Sequence, residues 1–88
     1  MIEREGTIVN SQGMHARPAA QIVRLAATFT SAIELAYEGQ VVNGKSIMGV
    51  MTLAAECGAV VLVRADGDDA EAAVTALLAL IAKGFGET

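Results

Sequence analysis

The sequence predicts an α+β fold in which helices cover one face of an antiparallel sheet. Two observations carry this prediction. The apolar residues alternate between the two-residue period of strands and the wider period of helices, in the order strand, helix, strand, strand, helix, strand, helix. A Glu38-Gly39 turn between two short alternating runs marks a hairpin near the middle of the chain. With 88 residues and no repeats, linkers or low-complexity tracts, a single domain over residues 1–88 is expected. A domain of that size buries only roughly 60–65% of its unfolded surface. That leaves room for a modest core and little room for a deep enclosed active site.

Each element has its own signal. In residues 2–9, Ile2, Gly6 and Ile8 share one parity with polar residues between them, as in a half-buried strand. Asn10-Ser11-Gln12-Gly13 is a turn cluster. Pro18 is favoured in a first helical turn, and Ala19, Ile22, Val23, Ala26 and Phe29 then recur at helical spacing. Ile33, Leu35 and Tyr37 lie on one side of a strand over 32–37, and residues 40–43 return as its hairpin partner. Ser46 is a suitable N-cap for a short helix reaching about Leu53. After Gly58, residues 59–66 form a strand with Val61, Val63 and Ala65 on one face and the apolar Val60 and Leu62 on the other. Asp68 and Glu71 resemble a capping box ahead of Ala73, Val74, Leu77, Leu78 and Ile81, and that last helix ends near Lys83-Gly84.

Composition excludes several classes of function. A net charge of −4 argues against general nucleic-acid binding. The N-terminus is polar with no apolar stretch behind it, and the apolar runs are too short or interrupted to cross a bilayer, so a cytoplasmic protein without membrane insertion is expected. One Cys permits no internal disulfide, and one His with one Cys is too few ligands for a metal centre. The glycines match neither phosphate-loop motif. The charge is unevenly placed. No carboxylate lies between Glu5 and Glu34, where Arg17 and Arg24 fall, or between Glu38 and Glu56, where Lys45 falls. Such a face is kept positive for an anionic group or an acidic partner.

The one His, His15, sits in Gly13-Met14-His15-Ala16-Arg17-Pro18-Ala19-Ala20, between a strand and a helix. The free N–H groups of a helix start favour an anion. The expected cap positions hold Ala16 and Arg17, neither of which can accept from those groups. The Arg17 guanidinium can reach a phosphoryl group on His15 and hold two of its oxygens. A neutral imidazole keeps one nitrogen lone pair free to attack phosphorus. No acid lies near His15 in sequence, which argues against a Ser/His/Asp set. Cys57 is expected to be a packing or surface residue.

These residues resemble the HPr family, the histidine-containing phosphocarriers of the bacterial phosphoenolpyruvate:sugar phosphotransferase system. The stretch from Gly13 to Ala20 is similar to the family's phosphorylation motif at every position. Lys45-Ser46-Ile47-Met48-Gly49-Val50-Met51-Thr52-Leu53 resembles its regulatory serine motif, and the likeness runs from about Ile2 to Ile81. The resemblance implies an open-faced β-sandwich, a four-stranded antiparallel sheet with three helices. It implies a phosphoryl carrier rather than a stand-alone catalyst; no cofactor is expected, and nothing in the sequence demands more than a monomer. It further implies phosphorylation of His15 on Nδ1 by Enzyme I, with Arg17 as electrostatic partner, and donation to Enzyme IIA domains. Ala16, Ala20, Arg24, Ile47, Met48 and Met51 would form the partner surface, and Ser46 would be the target of an HPr kinase/phosphorylase. Ala27 departs from the Lys found in many members. A nitrogen-system paralogue with regulatory partners, and a docking module in which His15 is incidental, are the alternatives.

Overall fold

A computed structural model describes residues 1–87. The chain runs β1 (Ile2–Thr7), α1 (Ala16–Ala26), β2 (Ala32–Tyr37), β3 (Gln40–Asn43), α2 (Ile47–Thr52), β4 (Val60–Asp66) and α3 (Ala70–Ala82). A tight turn over Gly84–Gly86 follows. The four strands form one antiparallel sheet in the order β1-β4-β2-β3, covered by the three helices. This is the α+β architecture expected from the sequence.

β4 lies between β1 and β2, so its alternation decides the layering. Val61, Val63 and Ala65 face the helices and are buried, whereas Val60 on the opposite face is 48% exposed. The buried row continues through Ile33 and Leu35 of β2. Against it pack Ala19, Ile22 and Ala26 of α1, Val50 of α2, and Ala73, Val74, Leu77 and Ile81 of α3. Each aliphatic side chain so removed from water contributes roughly 1.5–3 kcal/mol. On the outer face, Arg64 lies between Glu3 (3.0 Å) and Glu34 (3.7 Å). These pairs are largely solvated and add little stability.

Three details differ from the sequence reading. Helix α1 starts at Ala16, two residues before Pro18, and its cap is His15 rather than Ala16 or Arg17. Pro18 is the third helical residue, where the missing N–H would have had no partner in the helix. The cap of α3 is Asp69, not Asp68, and no capping box closes there. The Asp69 carboxylate turns away from its own helix and accepts from the Thr30 and Ser31 amides and the Ser31 hydroxyl. These bonds hold its carboxyl well below its ordinary 3.8, at about 2. They tie the α1–β2 loop to the start of α3.

The third difference lies past Lys83. There the chain folds back, with Phe85 buried at a φ of 59°. A side chain in the left-handed region costs roughly 1–2 kcal/mol. Burial of the Phe85 ring and the bond from Gln21 Nε2 to the Phe85 carbonyl (3.1 Å) offset that cost. The turn delivers Glu87 to the opposite end of the sequence.

Candidate functional site

The loop from β1 to α1 is held by short-range bonds. Gly13 N donates to the Asn10 carbonyl at 3.1 Å, and Asn10 Nδ2 returns to the Gly13 carbonyl at 2.8 Å. Met14 N donates to the Ala55 carbonyl at 2.8 Å, and the Met14 side chain is buried. Gly13 has a φ of 68°, and a Cβ there would lie 2.6 Å from the Ala55 carbonyl oxygen. Only glycine meets both demands. This anchored loop presents His15 as the N-cap of α1, in extended conformation, with its carbonyl accepting the first helical bond from Ala19 N at 3.0 Å.

The His15 side chain does not cap the helix, and the first turn of α1 contains no acid. The imidazole side chain is 35% exposed and opens on a cavity of about 610 Å³ lined by Gln12, Ala16, Arg17, Gly86 and Glu87. Its Nε2 lies 2.9–3.0 Å from the two Glu87 carboxylate oxygens. Asn10 Nδ2 also donates to Glu87 Oε1 at 3.0 Å. The bond to His15, then the one to Asn10, with the positive charges of His15 and Arg17, hold the Glu87 carboxyl below its ordinary range. A carboxylate only accepts. Whenever the ring is neutral, its proton therefore lies on Nε2 and the Nδ1 lone pair is available.

His15, Ala16 and Arg17 thus meet in one open, polar cavity at the positive end of α1. Among the described residues, none forms an ion pair with Arg17. Ala20 is half-buried one turn further along. Arg24 lies elsewhere, beside a groove formed with Gln21, Leu25, Thr28 and Leu80. Ser46 caps α2, accepting from Gly49 N at 3.1 Å. Ile47, Met48 and Met51 are exposed on that helix, which packs against α1. Lys45, read from the sequence as part of a positive face, has its ammonium group tied to the main chain. Its Nζ donates to the Phe29 carbonyl at 2.8 Å, just past the C-terminal end of α1. Cys57 is exposed, as expected.

Sequence reasoning missed Glu87, Asn10 and Gln12. The absence of an acid near His15 holds along the chain but not in space. Glu87 is 72 positions away, and no spacing rule links the two.

Comparison with known proteins agrees with this geometry. A family model described as the PTS HPr component phosphorylation site matches residues 2–83. Phosphocarrier protein HPr of Cupriavidus necator is 48% identical over 87 residues, covering 99% of this chain and 98% of that one. Phosphocarrier protein HPr of Xylella fastidiosa is 46% identical over 87 residues, with the same coverage. The crystal structure of HPr-C-His from Thermoanaerobacter tengcongensis superimposes with a TM-score of 0.95 at 46% identity, covering 100% of this chain and 99% of that chain. Fold and matches together define a phosphoryl-carrier protein. The chain belongs to the HPr family of the phosphotransferase system.

Proposed function

We propose that His15 Nδ1 accepts a phosphoryl group from phosphorylated Enzyme I and passes it to Enzyme IIA domains in the cytoplasm. The observation that carries this reading is the imidazole at the start of α1, with Nε2 against Glu87 and Arg17 lining the same open cavity. The Nδ1 lone pair forms the bond to phosphorus as the donor's bond to it breaks, and the electron pair of that bond stays with the donor. Arg17 and the first-turn amides of α1, which the His15 side chain does not cap, offset the charge of the phosphoryl oxygens. The site is shallow and open, so the group is held loosely enough to be given away.

Partner docking uses Ala16 and Ala20 beside His15, the basic Arg24, and the exposed Ile47, Met48 and Met51 of α2. The methionines form an adaptable apolar surface. Phosphorylation of Ser46 by an HPr kinase/phosphorylase would place up to about two negative charges on that surface. The deciding experiment is incubation with phosphoenolpyruvate and Enzyme I. The wild-type protein gains one acid-labile phosphate and the His15→Ala protein gains none. Phosphate on the His15→Ala protein would refute the assignment.

A further inference from the structure

Helix α2 carries a chemistry that holding phosphate does not require. Its six residues include no charged side chain. Val50 turns inward and is fully buried, which fixes the helix on the core. Ser46 caps its start, and Thr52 Oγ1 donates to the Met48 carbonyl at 2.6 Å. None of these anchors involves a sulfur atom. The outward side is left to Ile47, Met48 and Met51, which are 43%, 77% and 40% exposed. Met48 and Met51 are three residues apart, so their thioethers share one helix face. The other two of the four methionines are placed differently. Met14 is 5% exposed and packs in the core. Met1 precedes β1, at the far end of that strand from the His15 loop.

We propose that Met48 and Met51 form an oxidation site, at which a peroxide weakens partner docking without touching the chemistry at His15. The inference rests on α2 being part of the docking surface. At each methionine a sulfur lone pair attacks one oxygen of the peroxide. The S–O bond forms as the O–O bond breaks with its electron pair. The departing hydroxide takes the proton of the transferred oxygen and leaves as water. Sulfur is oxidised by two electrons, and the peroxide is reduced by two. The sulfoxide stays until a thiol-dependent reductase removes its oxygen as water, two thiols closing to a disulfide. A thioether packs on whatever apolar surface meets it, whereas a sulfoxide keeps its water unless the partner supplies a donor. Two such groups on a helix with no charged residue turn the patch polar and leave its net charge unchanged. The fold should survive, because the buried Val50 and the Ser46 cap still hold α2. Neither methionine lines the His15 cavity.

The test treats the full-length chain with graded hydrogen peroxide, maps the added oxygen by peptide mass, and measures phosphorylation by Enzyme I with phosphoenolpyruvate. Met48 and Met51 should each gain one oxygen before Met14 gains any. The KM of Enzyme I for the treated protein should rise roughly three- to tenfold at unchanged kcat, the signature of lost docking. The rise should persist at high salt, because no charge is added. A thiol-dependent sulfoxide reductase should reverse it. Cys57 is exposed and also oxidisable, so Cys57→Ser is treated in parallel and should respond as the wild type does. The Met48→Leu/Met51→Leu protein should show the same KM before and after treatment. If that protein does not fold, Met48→Leu alone, at the most exposed of the α2 positions, should lose most of the response. A KM rise that persists without the two sulfurs, or that disappears in Cys57→Ser, overturns the proposal. Met48→Gln separates this inference from the docking reading beneath it. A raised KM for Met48→Gln with an unchanged KM for the oxidised wild type overturns the oxidation site alone. An unchanged KM for both overturns the docking reading as well.

Discussion

Replacing Gly13 with alanine should cost much more than replacing Gly39, although both residues have positive φ. Gly39 has a φ of 83° in the β2–β3 hairpin, and a Cβ there meets nothing within 4 Å. Gly39→Ala therefore costs only the conformational term, about 1–2 kcal/mol. Gly13, at a φ of 68°, has the same term plus a steric one. Its Cβ would lie 2.6 Å from the Ala55 carbonyl oxygen and 2.9 Å from Glu56 Cα, both main-chain atoms that no rotamer change can move aside. Backbone shifts of this kind add roughly 1–3 kcal/mol. The expected total for Gly13→Ala is about 2–5 kcal/mol, and in a domain of this size each kcal/mol lowers Tm by about 4–8 °C. The strain also falls on the carbonyl that receives Met14 N, so His15 should shift relative to Glu87 and phosphoryl uptake should slow. Thermal and urea unfolding of both variants, followed by circular dichroism, measure the stability difference, and the Enzyme I assay measures uptake. Equal destabilisation of the two variants, or normal uptake by Gly13→Ala, would refute the reasoning.

Two other perturbations test different parts of the molecule. The Asp69 carboxyl is held at about 2, below its ordinary 3.8. Its bonds to Thr30 and Ser31 therefore stabilise the fold fully above about pH 4, and that contribution is lost as pH falls toward 2. Urea midpoints measured from pH 5 to pH 2 (on the order of one per half unit) should fall more steeply for the wild type than for Asp69→Asn, and parallel curves would show the carboxylate plays no part. Ser46→Asp keeps a good N-cap for α2, so stability should change by less than about 0.5 kcal/mol. Its new charge beside Ile47 and Met48 should slow phosphorylation of His15 by Enzyme I roughly threefold or more, and equal rates would end the idea of regulation at this serine.

The parts of the fold that follow from periodicity were legible in the sequence. Val61, Val63 and Ala65 alternate because β4 is covered on one side only, and Ile22 and Ala26 repeat at helical spacing because α1 lies on that cover. Ser46 could be read as a cap because capping is local. The details that were misread depend on competition across the structure. Asp69 has the chemistry of a cap, yet three donors from the α1–β2 loop take its oxygens. Lys45 keeps its charge, and which group its ammonium bonds, a carbonyl just past the end of α1, is set by the fold. At the site, His15 and Arg17 are two residues apart and belong to one motif. Glu87 reaches them only through the Phe85 turn, whose left-handed backbone has no signature in a side chain that is neither glycine nor asparagine.

The Phe85 turn brings the last described residues against the first loop, so the pair formed by His15 and Glu87 spans almost the entire chain. A polypeptide still missing its closing helix, or one whose final turn has come loose, would expose an imidazole without its carboxylate. Competence to carry phosphate in the arrangement described here should therefore arrive late in folding and disappear early in unfolding. It would serve as a chemical readout of whether the two ends of the molecule have met.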